Sequence, residues 1–199
     1  MPSSVKEVIA SAISFYKAII FMASKTTLLV AAIDFGTTFS GWAFSFTHEY
    51  ASDPTKINGK YHVGGPLASL KVPTTVLINP DGKTLDSFGY EAEDKYIELA
   101  RDGEHEKWYY FRRFKMLLHG KIGITRDIQL EDETHKKISA KTVFSITIRY
   151  LKNEMLKTSR ERLTGEDLRE DEIVWVLTVP AIWNDAAKQF MREAAVEVG

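Results

Sequence analysis

Runs of apolar residues predict two neighbouring β-strands at the start of the chain. Residues 28–33 are continuously apolar and short, which is typical of a strand buried on both faces. They are followed by Asp34-Phe35-Gly36-Thr37-Thr38, which predicts a tight turn because glycine adopts backbone angles that other residues resist. Residues 41–47 alternate in part and are rich in aromatic side chains, so they predict the returning strand of a hairpin.

Three more strands are predicted further along. Residues 74–78 and 84–88 flank Asn79-Pro80-Asp81-Gly82, a strong turn sequence, and therefore predict a second hairpin. Residues 173–179 predict another buried strand, which Pro180 stops. Between the hairpins, the prolines and glycines of residues 53–70 indicate a surface loop.

Helical spacing appears in three places. Residues 91–99 predict a short helix, and residues 140–157 predict a longer one. The longer segment carries one apolar stripe, formed by Phe144, Ile148, Leu151 and Met155. A final helix begins at Asn184 or Asp185, either of which could cap it. The mixed charges of residues 159–172 indicate a solvated connection. Strands mixed with helices make this an α/β chain.

The composition excludes several classes of protein. Hydrophobic residues make up 44% of the 199 positions and charged residues 27%, as in an ordinary globular protein. The 26 basic and 27 acidic side chains nearly cancel, which disfavours nucleic acid as a partner, since phosphate binding usually needs a basic excess. There is no cysteine, so disulfides, a thiol nucleophile and a thiolate metal site are excluded. The scattered histidines give no support to a zinc hydrolase.

The amino-terminal segment needs separate treatment because residues 8–23 are mostly apolar. Lys17 divides this run, and a lysine at a bilayer centre costs about 2.5–3.5 kcal/mol. The run is therefore too short and too interrupted to span a membrane, and it fits a secretory signal poorly. We expect residues 1–24 to be an extension, residues 25–199 to form the domain, and the protein to be cytoplasmic or nuclear.

The first turn is the main candidate for binding chemistry. The two commonest nucleotide-binding loops, Gly-x-x-x-x-Gly-Lys-[Ser/Thr] and Gly-x-Gly-x-x-Gly, are both absent. A polyphosphate needs backbone amides and hydroxyls around a shared hollow; Gly36 gives room, and Thr37 and Thr38 supply both groups. Asp34 would be repelled by phosphate unless a cation intervened, which favours Mg²⁺ held through water. The alternative is a plain hairpin turn, in which Asp, Gly and Thr are common.

The turn resembles the first phosphate loop of the actin, hexokinase and heat-shock protein 70 superfamily. Three separated segments, in order, carry this resemblance: residues 32–41, residues 114–120 and residues 177–185, the last followed by a similar helix over residues 188–199. The segments around Trp42, Phe111 and Trp175 look most like the divergent heat shock 70 kDa protein 12A/12B branch. The resemblance covers about residues 27–199.

The resemblance implies an actin-like (ribonuclease H-like) ATPase fold, of which this chain is the first lobe, with a mixed sheet and flanking helices. It implies that ATP and Mg²⁺ are cofactors, that Asp34 holds the Mg²⁺ shell through water, and that Gly36, Thr37 and Thr38 cradle the phosphates. Lys115 would approach the terminal phosphate and help orient the attacking water. The alternative for Lys115 is a surface charge in a basic stretch with its two preceding arginines.

The resemblance also assigns an interlobe switch and sets limits. Pro180 would lie at the joint between lobes, and Lys188 would support it. The second phosphate loop, the adenosine loop and the peptide-binding domain of the family would all lie beyond residue 199, so we expect a truncated lobe with little or no ATPase activity. Protein clients and co-chaperones are implied partners. A sugar or metabolite kinase and a non-catalytic interaction module remain alternatives.

Overall fold

A computed structural model describes residues 27–63, 68–119, 127–163, 168–180 and 183–199; the predicted extension over residues 1–24 lies outside these ranges. In chain order, the described strands are β1 (Leu29–Asp34), β2 (Phe39–Phe46), β3 (Lys71–Pro73), β4 (Thr75–Ile78), β5 (Leu85–Phe88), β6 (Tyr109–Arg112), β7 (Gln129–Glu131), β8 (Lys137–Ser139) and β9 (Ile173–Leu177). The described helices are α1 (Thr47–Ser52), α2 (Tyr90–Arg101), α3 (Ala140–Arg162) and α4 (Asp185–Val196).

The first sheet is mixed and contains the predicted turn. Its strand order is β3-β2-β1-β9. Strand β2 returns antiparallel to β1, as the sequence predicts, and β9 runs parallel to β1 on the other side. A second sheet has the order β5-β4-β6, and β7 pairs with β8. The expectation of an α/β chain with a mixed sheet and flanking helices is confirmed.

An aromatic cluster forms the core between the first sheet and helices α3 and α4. Phe144, on α3, is fully buried, and its ring centroid lies 5.4 Å from that of Phe35, 5.2 Å from that of Phe114 and 5.2 Å from that of Phe190. The predicted apolar stripe of α3 is confirmed, because all of its members are buried. The core therefore lies directly beneath the turn that follows β1.

Local polar chemistry fixes the ends of these elements. In the second hairpin, the Asp81 carboxylate accepts hydrogen bonds from the backbone N–H groups of Lys83 (2.8 Å) and Thr84 (2.9 Å). Of the two candidate caps for α4, Asn184 is the one used: its Oδ1 accepts a hydrogen bond from the Ala187 N–H at 2.9 Å.

Several boundaries and short elements differ from the sequence predictions. Thr47 begins helix α1 instead of ending β2, and β9 ends at Leu177 instead of Val179, although Thr178 still donates its backbone N–H to the Ile33 carbonyl of β1. The predicted surface loop contains two isolated bridges, one of which joins Asn58 to Phe44. In the predicted solvated connection, α3 continues to Arg162 and Leu168 is buried. Strands β3, β6, β7 and β8 were not predicted.

None of the helices within the described ranges has the length and apolar character needed to cross a bilayer.

We expect Phe144→Ala to lower the free energy of unfolding by about 3–5 kcal/mol, because it removes a ring that three other buried rings contact. Urea denaturation followed by circular dichroism measures this. The control is Ile97→Ala on α2, where the side chain is 50% exposed and the loss should stay below about 1 kcal/mol. Equal losses for the two variants would contradict the central place of Phe144.

Candidate functional site

The turn between β1 and β2 is braced by hydroxyl groups. The Gly36 N–H donates to Ser40 Oγ at 3.2 Å, and Thr74 Oγ1 donates to the Gly36 carbonyl at 2.9 Å. The two hydroxyls lie 2.7 Å apart, and both side chains are buried. A Cβ atom at Gly36 would lie 2.1 Å from the Phe39 carbonyl oxygen, so no larger residue fits this backbone. Ser40 and Thr74 were not singled out from sequence, since no local pattern links them.

The amide groups at the tip of the turn are available. Among the described residues, no backbone or side-chain acceptor takes the N–H of Thr37 or Thr38, although the Thr38 carbonyl accepts from the Thr74 N–H at 2.9 Å. Thr37 is half-buried and Thr38 is exposed. Consecutive free N–H groups of this kind are the feature that anion-binding backbone concavities share.

Lys115 reaches this turn from 80 residues away along the chain. Its side chain is only 3% exposed, and its ammonium donates a hydrogen bond to the Phe35 carbonyl. The ammonium also lies 5.2 Å from the centroid of the Phe35 ring and 4.8 Å from that of Trp183, which are cation–π distances. The alternative that Lys115 is a surface charge is therefore wrong.

Burial changes the titration of this lysine. Removal from water disfavours the charged form and lowers the Lys115 pKa from 10.5 to about 8, while the nearby Asp34 carboxylate opposes the shift. The ammonium group is thus held close to the turn at the cost of desolvation.

The backbone bends at Arg113, immediately before two residues whose side chains point inward. Arg113 has φ 52°, in the left-handed region that non-glycine residues rarely adopt, at the junction between β6 and a 3₁₀ helix over Phe114–His119. This bend directs Phe114 onto Phe35, with ring centroids 5.9 Å apart, and Lys115 towards the turn. Arg112 and Arg113 remain exposed.

Asp34 is held by two side chains that the sequence did not single out. Its Oδ1 accepts a hydrogen bond from Thr178 Oγ1 at 2.9 Å, and its Oδ2 lies 2.6 Å from Lys71 Nζ. The carboxylate is 15% exposed. Both oxygens therefore have partners, one from β3 and one from the residue that follows β9.

The two predicted switch residues occupy different environments. Pro180 is half-buried, and its carbonyl accepts a hydrogen bond from the backbone N–H of Trp183. The indole ring of Trp183 covers the Lys115 ammonium. Pro180 is therefore connected to the turn through two intervening residues. Lys188 lies in the first turn of α4, with its ammonium 3.8 Å from Asp185, and no contact among the described residues joins it to the turn.

The described ranges contain no group of three His, Cys, Asp or Glu side chains placed to hold a metal. A hydrated magnesium ion does not need three such side chains. Mg²⁺ keeps several waters and is commonly held by one or two carboxylates together with substrate phosphates. Asp34 provides one such carboxylate beside the free amides of the turn.

Comparison with known proteins identifies relatives of the chain. It is 42% identical over 176 residues to heat shock 70 kDa protein 12A of Mus musculus. It is 40% identical over 173 residues to the 12A protein of Homo sapiens, and 44% identical over 174 residues to heat shock 70 kDa protein 12B of Homo sapiens. The chain is a homologue of these heat shock 70 kDa proteins. The resemblance seen in the sequence is thus confirmed.

The matches cover most of this chain but only a small part of each relative. They cover 86–88% of this chain but only 24–25% of the relatives, so the chain spans about a quarter of the length of the heat shock 70 kDa proteins that it matches. No protein-family model matches the chain.

We expect the stability of the chain to rise with pH relative to a Lys115→Met variant. Between about pH 8 and 10.5, Lys115 is protonated in the unfolded chain and deprotonated in the folded one. The free energy of unfolding of the wild type therefore increases by up to about 3 kcal/mol across this pH range. Urea denaturation of both proteins at about pH 7 and about pH 10 measures the change in their difference.

Lys157→Met, which replaces an exposed lysine of α3, is the control and should keep a constant difference from the wild type at both pH values. A constant difference for Lys115→Met as well would mean that Lys115 is solvated in the folded protein.

Proposed function

We propose that this chain binds ATP with Mg²⁺ through the turn between β1 and β2, as the first lobe of an actin-like (ribonuclease H-like) nucleotide-binding fold of the heat shock protein 70 type. The observation that carries the proposal is the position of Lys115: a buried ammonium lies against the carbonyl of Phe35, next to a turn with free amides. An anion bound at the turn would meet positive charge on one side and N–H donors on the other.

Each residue of the site has a distinct role in this proposal. Gly36 lets the backbone approach the phosphates closely, and the N–H groups and hydroxyls of Thr37 and Thr38 bind phosphate oxygens. Lys115 provides positive charge near the terminal phosphate and orients the attacking water. Asp34 would hold a magnesium ion through its water shell, and the charge of that ion would offset the charge of the phosphates.

The mixed sheet supports the assignment of the fold. Strands β3, β2 and β1 are antiparallel neighbours, and β9 adds in parallel to β1 after a long connection that contains α3. Pro180 follows β9 and is connected to Lys115 through Trp183, which suits a residue at a joint between lobes. For Lys188 the proposal rests on the resemblance alone, as it does for protein clients, co-chaperones and a cytoplasmic or nuclear location.

A non-catalytic interaction module is the second candidate, because the charged groups of the site already have protein partners. Lys115 donates to a carbonyl, and both oxygens of Asp34 are engaged. In this alternative the same contacts hold the lobe together and bind no nucleotide.

We expect Lys115→Met to weaken ATP binding by the 199-residue chain by about tenfold or more, because it removes a charge beside the phosphates. Titration with ATP in millimolar Mg²⁺, followed by NMR chemical shifts, measures weak affinities directly. Lys95→Met is the control, since Lys95 also pairs with a carboxylate, Asp86, and its ammonium lies 5.1 Å from the centroid of the Trp108 ring, but it is on α2, beside the second sheet.

Equal ATP affinity in the wild type and in the double variant Asp34→Asn, Lys115→Met would favour the interaction module instead.

We expect the 199-residue chain by itself to hydrolyse little or no ATP. The turn opens to solvent, since Thr38 is exposed and Phe39 is 44% exposed, and hydrolysis needs water to be excluded around the phosphates. Phosphate release measured with and without Mg²⁺, against Lys115→Met as the background, tests this. Sustained Mg²⁺-dependent turnover by the wild-type chain would contradict it.

A further inference from the structure

Lys71 reaches Asp34 across one row of the first sheet. Asp34 of β1 is in register with Gly41 of β2, and Gly41 is in register with Lys71 of β3. Side chains in one row point to the same face of a sheet, so the glycine leaves an open slot between the two charged residues. A Cβ atom at Gly41 would lie 2.4 Å from the Leu70 carbonyl oxygen and 3.2 Å from Cγ of Lys71. The stem of the lysine thus crosses the sheet over a position that has to be glycine.

The resulting ion pair is partly protected from water. Lys71 Nζ lies 2.6 Å from Asp34 Oδ2, and the two side chains are 25% and 15% exposed. Thr178 Oγ1 holds the other carboxylate oxygen at 2.9 Å, so the carboxylate is fixed in orientation. A pair in such a position is screened less by salt than one on the open surface.

This pair changes the charge balance beside the turn. Two ammonium groups, from Lys71 and Lys115, accompany one carboxylate, from Asp34. A metal ion held through the waters of Asp34 has to share that carboxylate with the Lys71 ammonium. Without a metal, the ammonium still balances the carboxylate, which would otherwise repel a phosphate group.

We propose that Lys71 acts as the charge partner of Asp34 at the phosphate turn and makes nucleotide binding less dependent on magnesium. This inference rests on the proposed function and deepens it. Lys71 sets how strongly the site depends on the metal, because its ammonium pairs with Oδ2 of Asp34, an oxygen to which the water shell of Mg²⁺ would otherwise bind alone.

The test compares ATP binding in millimolar Mg²⁺ and in EDTA for the wild type and for Lys71→Met, by NMR titration of the 199-residue chain. The ratio of the dissociation constant in EDTA to that in Mg²⁺ should rise roughly tenfold in Lys71→Met, because ATP without metal then meets an unbalanced carboxylate. Lys95→Met, which removes the lysine of the Lys95–Asp86 pair, should keep the wild-type ratio. Thermal melting of each variant establishes that it is folded.

A second pair of variants separates charge balance from a purely structural role. In an Asp34→Asn background there is no carboxylate to balance, so adding Lys71→Met should leave the ratio unchanged. A ratio that rises equally in that background, or one that does not rise in Lys71→Met alone, overturns the role of Lys71 while ATP binding stands. Absence of ATP binding by the wild type in both buffers overturns the proposed function, and this inference with it.

Discussion

The contact between the buried Lys115 ammonium and the Phe35 carbonyl joins two parts of the chain that are far apart in sequence. A charge removed from water is stable only where the protein supplies partners, and here the partners are one carbonyl and the faces of two aromatic rings. The aromatic cluster around Phe144 supports both sides of this contact, since it packs against Phe35 and Phe114. The packing of the core therefore determines the geometry of the site.

The local charge of the site is unrelated to the charge of the whole chain. The chain carries a formal net charge of −1, yet the turn is flanked by two ammonium groups for one carboxylate. These charges come from three different elements: β1, β3 and the 3₁₀ helix after β6. The near-neutral composition disfavoured nucleic acid as a partner, but it carried no information about this small arrangement.

Long, periodic elements and turns with special residues could be predicted from the sequence. The apolar run of β1, the stripe of α3 and the Asn79–Gly82 turn each have a local physical cause, and the structure contains all three. Short strands such as β3, which has three residues, have too few positions to show alternation. The candidate site divides in a similar way. Asp34 and Gly36 were singled out from a local sequence pattern, and Lys115 from the resemblance to a family. Lys71 depends on the register across β2, which no local pattern reveals.

The parallel pairing of β1 with β9 has a consequence for folding. Asp34 and Thr178 are 144 residues apart, so the hydrogen bond between them closes a very long loop. Contacts of such high sequence separation form slowly, because chain entropy is lost before the contact forms. During synthesis, β1 emerges long before β9 is made, so the edge of this strongly apolar strand that pairs with β9 stays unpaired for that time. Open apolar edges pair readily with other chains. The nascent protein is therefore prone to aggregation in the interval before β9 leaves the ribosome.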